Sequence, residues 1–194
     1  MPVVAKELRP TLWRTARALA NADRLKLMRL VSNANGAKGV SEIAAEAVLP
    51  VPTASIYLRI LNARGLISVV RLGRYVYYGT ESDRSLPVAI AIQKSFRSLF
   101  AHKRLPGNWT DILMPTLRAY SSPRREAIMR ILLEHPKICY SELLVRSGMC
   151  EMTFLRHLGI LATAGMVVCD STKSYSLAKP RNSLESALSA ALRQ

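Results

Sequence analysis

Apolar residues recur at intervals of three and four over Thr11–Ala20 and again over Asp23–Val31, the second time through Leu27, Met28, Leu30 and Val31. This spacing predicts two amphipathic helices. Ser41 and Glu42 open a third, shorter helix that ends near Val48, with Ile43, Ala44 and Ala47 turned inward. Pro50 and Pro52 stop that helix and start the next, because a proline in the first helical turn lacks an N–H that would have no partner anyway. In this fourth helix, residues 52–64, Ala54, Leu58 and Leu61 share one face at i, i+4 and i+7, and Gly65 supplies a left-handed cap. Beyond Gly65 the pattern becomes extended. Ile67–Leu72 and Tyr75–Thr80 are rich in Val, Ile and Tyr, and Gly73-Arg74 between them predicts a hairpin over 67–80 with a basic tip.

The pattern then returns. Ser41-Glu42-Ile43 recurs as Ser141-Glu142-Leu143, Thr53 as Thr153, Leu58 as Leu158, Ile60-Leu61 as Ile160-Leu161, Gly65 as Gly165 and Tyr75 as Tyr175. Upstream, Arg24, Leu27, Met28 and Leu30 correspond to Arg125, Ile128, Met129 and Ile131, so the first copy carries one extra residue in its Asn33–Gly39 loop. A length change confined to a Gly/Asn-rich connection is what a repeated structural unit tolerates. The second copy supplies helices over Pro123–Leu133, Ser141–Ser147 and Glu151–Ala164, and a short hairpin of Met166–Cys169 and Ser174–Leu177. Two helices, a helix-turn-helix and a hairpin make a winged helix. The expected fold class is therefore mostly α with small β-hairpins, as tandem winged helix-turn-helix domains: 1–103 with a C-terminal packing helix, and a more divergent 104–194. A helical segment over Asp83–Ala101 carries an apolar stripe of Leu86, Ala89, Ile90, Gln93, Phe96, Leu99 and Phe100. Leu184, Ala187, Leu188, Ala191 and Leu192 repeat the idea at the other end of the chain. Such stripes suit helices that join two copies or two chains.

The 194 residues carry 28 Lys plus Arg against 13 Asp plus Glu, a formal charge of +15, with 49% hydrophobic residues. This apolar content excludes a disordered basic tail, and the charge points to nucleic acid as partner. Residues 1–80 hold 12 basic and 4 acidic residues, and residues 118–194 hold 11 and 6. No apolar run reaches membrane-spanning length and no signal peptide is recognisable, so a cytoplasmic protein without membrane contact is expected. Cys139, Cys150 and Cys169 fit neither a disulfide framework nor a CxxC site; buried thiols are expected, with a convergent thiol switch or soft-metal site as the alternative. His102, His135 and His157 stand apart from any acid or nucleophile at motif spacing, and no Gly-rich phosphate loop or HExxH is present, so no enzyme is expected.

The string ALANADRLKLMRLV, with Leu19, Ala20 and Arg24 opening it, resembles the ArsR-type transcriptional regulators of bacteria and archaea. So do Tyr57-Leu58 in the fourth helix, the Ala63-x-Gly65-Leu66-Ile67 exit, and the Gly73-Arg74-Tyr75-Val76-Tyr77-Tyr78 wing. Ala22 stands where that family usually has proline, and Val51-Pro52 where it has a polar helix start. Residues 121–125, 153–158 and 164–167 are similar to the same family more faintly. The family is generally homodimeric with one such domain per chain, so the resemblance implies an intramolecular pseudo-dimer, with a homodimer of chains as a second arrangement. Many members hold metal through a CxC pair on the third helix or His/Asp clusters on the last. Ser41–Val48 has no cysteine and Asp83–Ala101 no histidine, so no metal site and no cofactor are expected.

With Ala54, Leu58 and Leu61 inward, the helix at 52–64 presents Thr53, Ser55, Ile56, Tyr57 and Arg59, a face that suits the major groove of double-stranded DNA. Ile56 suits a thymine methyl and Arg59 a phosphate, while Arg71 and Arg74 flank the wing tip beside backbone or minor groove. The helix at 151–164 presents Thr153, Arg156 and His157, with Arg156 suited to guanine. The expected function is sequence-specific duplex DNA binding as an ArsR-like transcriptional regulator. The alternative is an architectural or protein-interaction module, favoured by the apolar Ile56, Phe154 and Leu155 on the recognition helices.

Overall fold

Helix α1, Leu12–Leu19, is followed by α2, Ala22–Ser32, whose start is fixed by Asn21: its side-chain oxygen accepts from the Arg24 backbone N–H at 3.0 Å. The computed structural model describes residues 11–34, 36–80, 87–101 and 106–193. Next come β1 (Lys38–Gly39), α3 (Val40–Ala47) and α4 (Val51–Asn62). Helix α3 ends at Val48, which adopts a left-handed φ of 57° while fully in solvent, a conformation normally left to glycine or asparagine. The axes of α3 and α4 turn through 107°, within the range of a helix-turn-helix. Pro52 lies in the first turn of α4, and Ala54, Leu58 and Leu61 are fully buried, as the spacing predicts. Gly65 closes the helix at φ 66°. Strands β2 (Ser68–Leu72) and β3 (Tyr75–Gly79) form the hairpin, with Arg71 opposite Val76 and Leu72 opposite Tyr75. Strand β1 completes the sheet in the order β1-β3-β2, pairing Lys38 with Tyr78. Two residues are too few to show an alternating pattern, so this strand had no sequence signal. Helix α5, Pro87–Ala101, closes the half.

The second half runs through α6 (Trp109–Tyr120), α7 (Pro123–Glu134), β4 (Ile138–Cys139), α8 (Tyr140–Ser147), α9 (Glu151–Thr163), β5 (Val167–Cys169), β6 (Ser174–Leu177) and α10 (Ser183–Leu192). Its sheet has the order β4-β6-β5, matching the first, though β5 is only three residues long and the wing correspondingly stubby. At the turn between α8 and α9, Gly148 takes at φ 63° the left-handed position that Val48 holds in the first half.

One continuous apolar core links the halves. Helix α1 packs on α6, and α5 on α10, so helices at corresponding places meet each other. Phe96 stacks on Phe100 (centroids 5.2 Å apart), Phe100 meets Trp109 edge-on at 5.4 Å, and the Arg29 guanidinium lies 5.2 Å over the Trp109 ring. Glu185, buried on α10, accepts from Thr116 Oγ1 of α6 at 3.0 Å and from Arg181 Nη2 at 2.7 Å; these bonds and the ion pair hold its carboxyl below the ordinary range despite burial. The α5 stripe differs from expectation at three positions. Ile92 is fully buried along with Ala89, Gln93, Phe96 and Phe100, whereas Ile90 and Leu99 are half-buried, because the helix packs against both α2 and α10 and so buries a wider arc than a single stripe. Leu86 and His102 lie outside the described residues.

Candidate nucleic-acid interface

On α4, Ile56 and Arg59 are exposed, and Thr53, Ser55 and Tyr57 are half-buried. Arg59 Nε donates to the Ser55 carbonyl at 3.3 Å, laying the guanidinium along its own helix. Tyr57 is anchored from behind. The Arg24 guanidinium sits 5.5 Å over its ring, while Arg24 Nε donates to the Ala18 carbonyl and Nη2 to the Arg17 carbonyl at 3.2 Å. Arg24 thus satisfies the open carbonyls at the end of α1, where cations are favoured. Burial lowers the Arg24 pKa, and Tyr57 opposes that shift. At the wing tip Arg71 and Arg74 are exposed, and Arg74 Nη2 donates to the Tyr75 hydroxyl at 3.1 Å. Val70 and Leu72 of β2 are exposed beside them.

On α9, Arg156 is exposed and Thr153 half-buried, its Oγ1 3.1 Å from the Cys150 thiol. His157 departs from expectation: it is not on the outer face but only 7% exposed. Its Nδ1 lies 3.4 Å from Arg125 Nη1, and its Nε2 is buried without a partner. The reason is the helical period, since Phe154, His157, Leu158 and Leu161 occupy i, i+3, i+4 and i+7 of the inward stripe. Burial first, then Arg125, Arg156 and Arg124, hold the imidazole below its ordinary pKa of 6.5 and so in the neutral form. Arg125 donates to the carbonyls of Ala119 at 2.9 Å and Arg118 at 2.6 Å. The Arg125–His157 pair therefore stands at the end of α6 where Arg24–Tyr57 stands at the end of α1.

The cysteines also depart from expectation: all three are exposed free thiols. Cys139 and Cys150 are the N-cap residues of α8 and α9, at the ends of the elements and off their inward stripes, and Cys169 lies on the edge strand β5. Bonds to Ser141 and Thr153, respectively, lower the thiol pKa of Cys139 and Cys150. Among the described residues no group of three or more His, Cys, Asp or Glu side chains is placed to hold a metal ion, and no single helix is long and apolar enough to cross a membrane.

The sequence pattern gives no clear signal for two sets of residues. Met152 and Val145, both 78% exposed, join Leu155 as exposed apolar residues of the second helix-turn-helix, as Val48, Val51 and Ile56 are in the first. Arg14, Arg17 and Arg64 gather with Arg24 behind α4, and Arg118 stands near Arg125 and Arg156 behind α9. Arginine density in the sequence was their only signal.

No curated protein and no solved structure matches the chain. Residues 21–69, from the cap of α2 through α3 and α4 into β2, match the family model described as bacterial regulatory protein, arsR family, so this helix-turn-helix segment is similar to that family.

Proposed function

We propose that the chain is a sequence-specific, duplex DNA-binding transcriptional regulator of ArsR-like type that uses two unequal winged helices as an intramolecular pseudo-dimer, residues 1–103 and 104–194, in the cytoplasm and without enzymatic activity. The observation that carries this reading is the outward face of α4, with Ile56 and Arg59 exposed beside the Arg71–Arg74 wing, within a segment similar to a regulatory family. Helix α4 enters the major groove with Thr53, Ser55, Ile56 and Tyr57 near base edges, and Arg59, Arg71 and Arg74 meet phosphates. Helix α9 offers Thr153 and Arg156 to a second half-site; buried His157 supports the helix instead of reading bases. The packing of α1 on α6 and α5 on α10 supports the pseudo-dimer, because corresponding helices meet as they would across a two-fold axis.

A binding titration on random genomic fragments over a salt series tests the reading. Affinity is expected to fall with a log-log slope of about −0.9 per phosphate neutralised. Absence of binding at low salt, or an isotherm indifferent to salt, overturns it. One observation favours a second reading for the second half alone. Val145, Met152 and Leu155 are exposed on the second helix-turn-helix, whose wing carries Asp170 and Lys173 where the first has Arg71 and Arg74, which suits a protein partner. Selection of bound sequences from a random pool separates the two. An asymmetric site means both helices read DNA, and a perfect palindrome means two chains pair through their first halves.

A further inference from the structure

Each half has a cleft between its first helix and its recognition helix, and the two clefts differ. The first, about 340 Å³, is lined by Trp13, Arg14, Arg17, Arg24, Ile60 and Arg64. The second, about 610 Å³, has Arg118, Arg125 and Arg156 around an apolar wall of Pro115, Leu155 and Ile160. Arg14 and Arg64, which line the first cleft, correspond to Pro115 and Ala164 in the second, and Gly159, in the second cleft's lining, stands where the first half has Arg59, which lies outside the first cleft. A Cβ built on Gly159 would meet nothing within 4 Å, so the missing side chain leaves open space in mid-helix. No carboxylate lines this cleft, and among the described residues none is within ion-pair distance of Arg118, Arg125 or Arg156.

We propose that this cleft binds a small organic anion with an apolar, ring-sized body. Arg118 and Arg156, both exposed and free of ion pairs, hold the charged head. The apolar body lies on Leu155, Ile160 and the bare backbone of Gly159. The volume falls in the range of small-molecule sites, and a mostly apolar lining with a few convergent charges is their usual composition. Arg125 is committed to the carbonyls at the end of α6 and contributes positive potential without moving. An occupant held by Arg156 competes with DNA for that side chain, a consequence that rests on the DNA-binding reading above.

The test is a fluorescence titration of the full chain, without DNA, using anilinonaphthalene sulfonate as the probe. Saturable binding of one probe per chain is expected, with the neutral N-phenylnaphthylamine weaker by about tenfold or more. Arg118→Met should weaken the sulfonate about tenfold and leave the neutral compound unchanged. Gly159→Leu should abolish binding of both while the melting temperature stays level or rises, since a mid-helix glycine is replaced by a strong helix former. Unchanged probe binding in Gly159→Leu, or equal affinity for the neutral compound, overturns the site. A second titration measures duplex affinity with and without the probe. A loss in the wild type that is absent in Gly159→Leu supports competition through Arg156, and an unaffected duplex affinity overturns that competition while the site itself stands on the DNA-free measurement.

Discussion

In the first half a guanidinium lies over a phenol ring at the base of the recognition helix; in the second the corresponding guanidinium meets a buried imidazole. Both arginines do the same structural work, joining the end of one helix to the inner face of another by donating to two carbonyls. The rings differ in what they leave available. Tyr57 is half-buried, so part of it reaches the outer surface of α4, whereas His157 is spent inside. The joint is fixed by backbone geometry, and its second member is free to vary as long as it packs. One half keeps a residue that serves both the fold and the surface, and the other does not.

The largest expected effect is on stability. Arg125→Met should cost about 3 kcal/mol, because it leaves the buried Ala119 carbonyl and His157 Nδ1 without their partner, while the Arg118 carbonyl keeps its bonds from Ser121. Arg24→Met should cost less, about 2 kcal/mol, because Arg24 is more exposed. Urea denaturation of both variants measures the comparison, and equal losses would mean that the two joints are energetically the same.

Next in size is specificity. Arg156→Ala should relax discrimination at one half-site by about 2 kcal/mol, and Ile56→Ala at the other by about 1 kcal/mol. Sequence selection with each variant reads this out; if both changes affect the same base positions, the two helices do not read separate half-sites.

The wing comes third. Arg71→Ala with Arg74→Ala should weaken duplex binding by about 1 kcal/mol, uniformly across sequences, and reduce the salt slope by about 2. A changed sequence preference at constant non-specific affinity would make the wing a reader of bases.

The smallest effect is that of pH. His157 is held below its ordinary pKa of 6.5, so the unfolded chain takes up a proton at higher pH than the folded one. Its contribution to stability is complete above about pH 6.5 and is lost as the pH falls toward the lower folded value. The drop in melting temperature between about pH 7 and about pH 5 should therefore shrink in His157→Gln. An unchanged drop would assign the pH dependence to other groups.

Much of this was legible in the sequence because it is local. The stripe Ala54, Leu58, Leu61 located the face of α4, Gly65 its end, and Gly73-Arg74 the wing tip. The same rule, carried one position further, would have placed His157 inward, three residues after Phe154. The cysteines were not legible, because burial tendency as a residue type carries no position, and Cys139 and Cys150 fall just before helices while Cys169 falls on an edge strand.

Sequence by itself determined the hairpins, most of the helices (though not α6, with Pro115 inside it) and the spacing of about 100 residues between like positions, since period, caps and turn residues act within a few neighbours. It also determined that α4 is bordered by arginines. Tertiary structure alone decided that β1 and β4 exist, that Arg24 and Arg125 reach back to the preceding helix, that α5 packs on α10, and that Gly159 opens a cleft. Each of these depends on contacts between residues far apart in the chain, where the partner and not the local pattern sets the outcome.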